Sequence, residues 1–133
     1  MQARPRLVLA DDHETMLEEI SSLLMSDFDV VCAVHHGQAL IEATQELQPD
    51  GVVSDIHMPL MDGIGACECL RRGGYVGAVI LLTLHNELVL VERAFRAGAS
   101  GFVLKVDAAD ELIPAIYAAL AGRNYCSRNV VSS

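Results

Sequence analysis

The chain has 133 residues, with 9 basic against 18 acidic side chains and a formal charge of −9. One domain is the default at that length, and 52% hydrophobic residues supply a core without disulfides or a structural metal. The longest apolar runs, such as AVILL at 78–82, fall far short of a membrane span, and LVLA after Arg6 is too short for a signal-peptide core. Cys32, Cys67, Cys69 and Cys126 show no CxxC spacing, so they read as free thiols of a reducing, cytoplasmic compartment. No Lys or Arg occurs from Leu7 to Leu70, where 13 of the 18 acids lie. That half repels a phosphate backbone, so the chain as given is not a nucleic-acid binder. The bland reading of the acids is a solvated surface.

Hydrophobic periodicity gives a regular alternation along the chain. RLVLA (6–10) predicts a strand, and Met16, Leu17, Ile20, Leu23 and Leu24 predict an amphipathic helix after it. VVCAV (30–34) precedes a second helix marked by Leu40, Ala43 and Leu47. The Pro49-Asp50-Gly51 turn leads into GVVSD (51–55), and Ile64, Cys67 and Leu70 mark a third helix ended by Gly73-Gly74. AVILLT (78–83) is the most strongly apolar strand, followed by a helix with Leu88, Val91, Ala94 and Phe95 that Gly98 stops. GFVL (101–104) is the fifth strand. The fifth helix carries Leu112, Ile113, Ile116, Tyr117 and Leu120 and stops at Gly122. Pro114 would remove a helix hydrogen bond unless it lies in the first turn; Asp110 as N-cap leaves it near that position, whereas a helix from Asp107 would be kinked there.

Five βα units in series require a parallel sheet with helices on both faces, an α/β fold. Ligands of such sheets lie at the carboxyl ends of the strands. Those ends carry Asp11 and Asp12 after the first strand, Asp55 after the third, Thr83 after the fourth and Lys105 after the fifth. Lys105 is the only lysine in the chain. Any one Asp here could be a helix N-cap, but three on one rim are hard to explain as caps. Two carboxylates ~4 Å apart repel by about 4 kcal/mol at an effective dielectric of 20, so the cluster calls for a divalent cation. All-oxygen ligands point to Mg²⁺, and carboxylates, Mg²⁺, a lysine and a hydroxyl form a phosphoryl-binding set.

LADDH, DIHMPLMDG, LLTLHN and AGASGFVLK resemble the signatures of response-regulator receiver domains of two-component signalling. The likeness runs from about Arg6 to Arg123. It implies a flavodoxin-like five-stranded sheet of order 2-1-3-4-5 with five helices. It also makes Asp55 the phospho-acceptor and Asp11, Asp12, Asp55 and the His57 carbonyl the Mg²⁺ ligands. Thr83 and Lys105 then contact the phosphoryl group, and Phe102 takes the place of the aromatic switch. The implied partner is a sensor histidine kinase, and the only chemistry is the domain's own phosphorylation and dephosphorylation. A receiver-like interaction module working without phosphate is the alternative. A flavodoxin-like phosphatase usually shows Asp-x-Asp at the first strand, which Ala10-Asp11-Asp12-His13-Glu14 lacks.

Two positions depart from the family pattern. Val106 stands where the family commonly has a proline after the lysine, so a trans bond is expected there. Leu84 stands where a small residue usually follows the threonine, and it could narrow access to Asp55. His57 and His85, each two residues beyond a site residue, join Leu84 as candidates for tuning the lifetime of the phosphoryl group. His13, His35 and His36 read as solvated or capping residues. Gly63-Ile64-Gly65 is followed by Glu68 where a dinucleotide fingerprint needs glycine. Cys67 and Cys69 point to different helix faces.

AGRNYCS after the fifth helix is most similar to receivers joined to a LuxR-type helix-turn-helix domain. Residues 1–123 are accordingly assigned to the receiver, and 124–133 to the start of a linker towards a DNA-binding domain absent from this chain. A single-domain regulator is the other arrangement. The fifth helix carries more apolar surface than one sheet face needs, which predicts a homodimer through Leu112, Ile113, Ile116 and Tyr117.

Overall fold

The computed structural model describes residues 3–130. Its strands are β1 (Arg6–Ala10), β2 (Asp29–Val34), β3 (Gly51–Asp55), β4 (Ala78–Thr83), β5 (Gly101–Leu104) and β6 (Tyr125–Cys126). The helices are α1 (Glu14–Leu24), α2 (Gly37–Leu47), α3 (Gly63–Arg72), α4 (Leu88–Arg96) and α5 (Ala108–Leu120), with a short 3-10 turn at Lys105–Asp107. The sheet has the order β2-β1-β3-β4-β5-β6, and every pairing is parallel.

Side chains alternate across the strands, and both faces are apolar, as burial on two sides demands. Leu7, Leu9, Val53, Ile80, Leu82 and Val103 share one cluster with Leu17 and Ile20 of α1 and Leu112 and Ile116 of α5. Val8 and Val52 meet Leu40 of α2 and Leu70 of α3 on the other face. Further along that face, Val79, Leu81, Phe102 and Leu104 meet Ile64 of α3 and Leu90 and Val91 of α4. Central β3 and β4 are buried along their whole length, whereas β2 at the edge is only half covered.

Two expectations need correction. The sheet has a sixth strand, because Tyr125 and Cys126 pair with Gly101 and Phe102 at the β5 edge. Residues assigned to a linker therefore begin by completing the sheet. Leu112 and Ile116 have no exposed surface, so they belong to the core and not to a surface for a second copy. Ile113 also packs partly on that core, and only Tyr117, 45% exposed, remains of the predicted dimer patch. Of the two starts open for the fifth helix the earlier one is taken: α5 starts at Ala108 with Asp107 in the N-cap position, which leaves Pro114 in the helix interior.

Pro114 is tolerated there because it lies on the exposed side of α5, where water can reach the Asp110 carbonyl that lost its N–H partner. Pro114→Ala restores that donor. It should raise stability by about 1–3 kcal/mol, read as a higher urea midpoint at unchanged slope. An unchanged midpoint would mean that the proline costs this helix nothing.

Candidate functional site

The parallel register brings the carboxyl ends of β1, β3, β4 and β5 to one rim, and the five predicted side chains arrive there together. Asp11 follows β1, Asp55 ends β3, Thr83 ends β4, and Lys105 follows β5. Asp11 and Asp55 are each 3% exposed, while Asp12 stands at the solvent side. Lys105 reaches across the floor, with Nζ 3.0 Å from Asp11 Oδ2 and 3.3 Å from Asp55 Oδ1. Gly63 lets the β3–α3 loop fold tightly over this end of β3. Its N–H donates to the Ile56 carbonyl at 2.7 Å, and a Cβ at Gly63 would run into the Asp55 backbone.

The capping explanation of the acids fails at α1. Its N-cap is His13, and no side chain caps the helix, so Asp12 is left free for another role. Asp11 Oδ1 accepts the His13 N–H at 2.9 Å, and His13 Nδ1 lies 3.1 Å from Asp12 Oδ1 and 3.3 Å from Asp11 Oδ1. Asp11, Asp12, His13 and Asp55 each offer a ligand atom within 4.8 Å of the others. Three carboxylates against one ammonium leave an excess of two negative charges, which one divalent cation balances. This charge and the largely oxygen donor set fit a hard cation such as Mg²⁺. His13 is the member that sequence reading passed over. Its signal was the position two residues after Asp11, where a tight turn points a side chain back at the strand end.

Burial raises the Asp55 pKa above the ordinary carboxylate value of 3.8; Lys105 lowers it, the Asp11 charge raises it again, and the His57 N–H lowers it. The net upward shift means that the single lysine does not fully compensate the buried charge.

Thr83 has no exposed surface, and its Oγ1 accepts the His85 N–H at 3.0 Å. The hydroxyl hydrogen is left to donate elsewhere. His57 and His85 meet across the mouth of the site, edge to face, with ring centroids 4.6 Å apart. Leu84 is 67% exposed and stands mostly in solvent. No cis peptide bond occurs among the described residues, so Lys105–Val106 is trans as expected. Phe102 is fully buried beneath α4, so an inward swing of this ring has no exposed starting position here. Of the histidines set aside, His36 caps α2 by accepting from the Ala39 N–H at 3.2 Å, and His35 pairs with Glu14 at 2.7 Å.

The family of response regulator receiver domains matches residues 7–117. The chain belongs to that family. It is 35% identical over 124 residues to the transcriptional regulatory protein YvfU of Bacillus subtilis, covering 92% of this chain and 62% of the relative. It is 32% identical over 120 residues to the DNA-binding transcriptional activator EvgA of Escherichia coli, covering 90% and 58%. Among solved structures, a two-component response regulator of the LuxR family from Aurantimonas sp. superposes with a TM-score of 0.92 at 32% identity, covering 96% of this chain and 93% of that one. The signal receiver domain of the response regulator NarL from Mycobacterium tuberculosis gives 0.88 at 30% identity, covering 92% and 100%. The receiver thus has the flavodoxin-like sheet of its family, extended by the short β6. It spans 58% to 62% of the length of these two curated relatives. No helix among its described residues is long and apolar enough to cross a membrane.

Proposed function

We propose that Asp55 accepts a phosphoryl group from the phosphohistidine of a sensor histidine kinase. The observation that carries this reading is the buried Asp55 carboxylate, 3.3 Å from the only lysine and inside an acidic cluster with two charges in excess. An Asp55 oxygen forms the new bond to phosphorus, the P–N bond to the imidazole breaks, and the imidazole leaves with a proton from solvent. Asp11, Asp12, Asp55 and the His57 carbonyl would hold Mg²⁺, which when bound neutralises the charge that repels an incoming phosphoryl group. Lys105 pairs with one phosphoryl oxygen and the Thr83 hydroxyl donates to another. Drawing Thr83 inward pulls on the β4–α4 loop, and this shifts the surface around α4, β5 and α5 between two states. His57 and His85 stand where water must approach the phosphoryl group, so they set its lifetime.

The relatives that are transcription regulators support an output in transcription, exercised in the cytoplasm through a DNA-binding domain outside these 133 residues. Any second copy docking on α5 meets Tyr117, Pro114 and the edge of Ile113, a much smaller apolar surface than predicted.

Intact-mass measurement with phosphoramidate tests the chemistry. The chain should gain the mass of one phosphoryl group with Mg²⁺ present and none with a chelator. Uptake independent of Mg²⁺, or no uptake with partner binding intact, would favour the phosphate-independent module.

A further inference from the structure

Residues 125–130 do not trail away from the domain. Tyr125 Oη donates to Glu111 Oε1 at 2.8 Å, and the Arg128 N–H donates to the same oxygen at 3.3 Å. Glu111 is a carboxylate only 2% exposed on the inner side of α5, and phosphoryl chemistry makes no use of it. Burying such a group is costly unless it is hydrogen-bonded, and this segment supplies the bonds. Ser127 clamps β5 itself. Its N–H donates to the Phe102 carbonyl at 2.9 Å, and its Oγ accepts the Leu104 N–H at 3.0 Å. Asn129 closes the far end, with Nδ2 3.2 Å from both Asp107 oxygens. Its carbonyl accepts from Asn86 Nδ2 at 2.8 Å, and Val130 packs on the cluster that holds Phe102, Leu90 and Val91.

The two halves of this segment are held differently. Tyr125 and Ser127 bind buried partners, Glu111 and β5. Asn129 instead bridges half-buried Asp107, two residues beyond Lys105, and exposed Asn86, three residues beyond Thr83. The segments that follow two site residues, Thr83 and Lys105, are therefore tied to one asparagine. A hydrogen bond of 2.8 Å is lost once it stretches to about 3.6 Å, so a loop displacement of about one ångström is enough to break it. Phe102, already buried and with its backbone clamped, is poorly placed to carry the change.

We propose that residues 125–130 are a docked strap whose far end, the Asn86–Asn129–Asp107 latch, opens when Asp55 is phosphorylated. The strap rests on the phospho-acceptor reading above. Its near end stays anchored on Glu111 and β5, so the site's state is passed to the chain beyond Asn129 while the fold is kept.

Amide hydrogen exchange on the whole chain, with phosphoryl loading followed by intact mass in the same samples, tests this. Loading with phosphoramidate and Mg²⁺ should speed exchange by about tenfold or more at Val130, whose N–H donates to the Ser127 carbonyl and shares a peptide unit with the latched Asn129 carbonyl, while Tyr125 and Ser127 stay protected. Asn86→Ala should show the fast exchange at Val130 without phosphodonor, and should still take up one phosphoryl group. Loaded protein with unchanged exchange at Val130 overturns the strap while leaving the phospho-acceptor reading intact. So does an Asn86→Ala variant whose exchange matches the parent. A chain that gains no phosphoryl mass overturns the phospho-acceptor reading, and the latch falls with it.

Discussion

Asp55→Asn should abolish phosphoryl uptake and, in Mg²⁺-free buffer at neutral pH, should make the protein more stable. Both effects come from one buried charge. Burial holds the Asp55 pKa above its ordinary value of 3.8, so between that value and the folded one the native state binds more protons than the unfolded chain. Stability contributed at this group therefore falls as pH rises through that window, and the cost is fully present above the folded value. Asparagine keeps the shape and an acceptor for the His57 N–H and for Lys105, yet carries no charge. The variant's advantage should be largest at neutral pH and shrink as pH falls into the window. Mg²⁺ should reverse the ranking, because only the carboxylate gains from the cation. Urea midpoints against pH, with chelator and with Mg²⁺, check all three. A variant less stable than the parent in chelator would show that the Lys105 pair outweighs desolvation.

Strand ends were legible because parallel strands buried on both faces leave an unbroken apolar signature, as in GVVSD and AVILLT. Their ends fixed the rim, and the rim brought Asp11, Asp12, Asp55, Thr83 and Lys105 together without any pairwise information. Helix faces were less legible. The stripe on α5 spans two sides, and periodicity alone does not say which side meets the sheet. Leu112 and Ile116 were read as surface, although they turn inward against Val103 and Ile80. Tyr125 and Cys126 form a strand too short for any alternation, and its partner strand lies more than twenty residues upstream. Arg71 was equally silent in sequence. Its guanidinium gathers the carbonyls of Gly98, Tyr75 and Gly77 at 2.9, 2.9 and 2.7 Å, closing the end of the sheet opposite the site. Glu111 sits among apolar residues of α5 and would pass for a surface charge, because its reason to be buried lies in Tyr125 and Arg128.

Lys105→Met should make the stability of this domain depend on Mg²⁺. The Lys105 side chain is 6% exposed and faces Asp11 and Asp55, which are 4% and 3% exposed at the side chain. Methionine preserves most of the aliphatic stem, so packing changes little and the ammonium is the main loss. The acidic cluster then has no internal cation, and in chelator the variant should lose about 3 kcal/mol, the low end of what breaking a buried pair costs. Asp55 relieves part of the repulsion by taking up a proton, so the loss should shrink at acidic pH. A divalent cation supplies two charges to the same carboxylates and should recover most of the difference. The Mg²⁺-induced rise in urea midpoint should thus be larger in the variant than in the parent. Phosphoryl uptake at Asp55 should persist at a reduced rate, because the Asp11 and Asp12 cation ligands remain. Exchange at Val130 should no longer respond to it, because one phosphoryl oxygen has lost its counter-charge and Asp107 closes the turn that begins at the altered residue. Equal Mg²⁺ stabilisation of variant and parent would show that the lysine and the cation do not share one cluster of charge, and the metal assignment at Asp11, Asp12 and Asp55 would have to be abandoned.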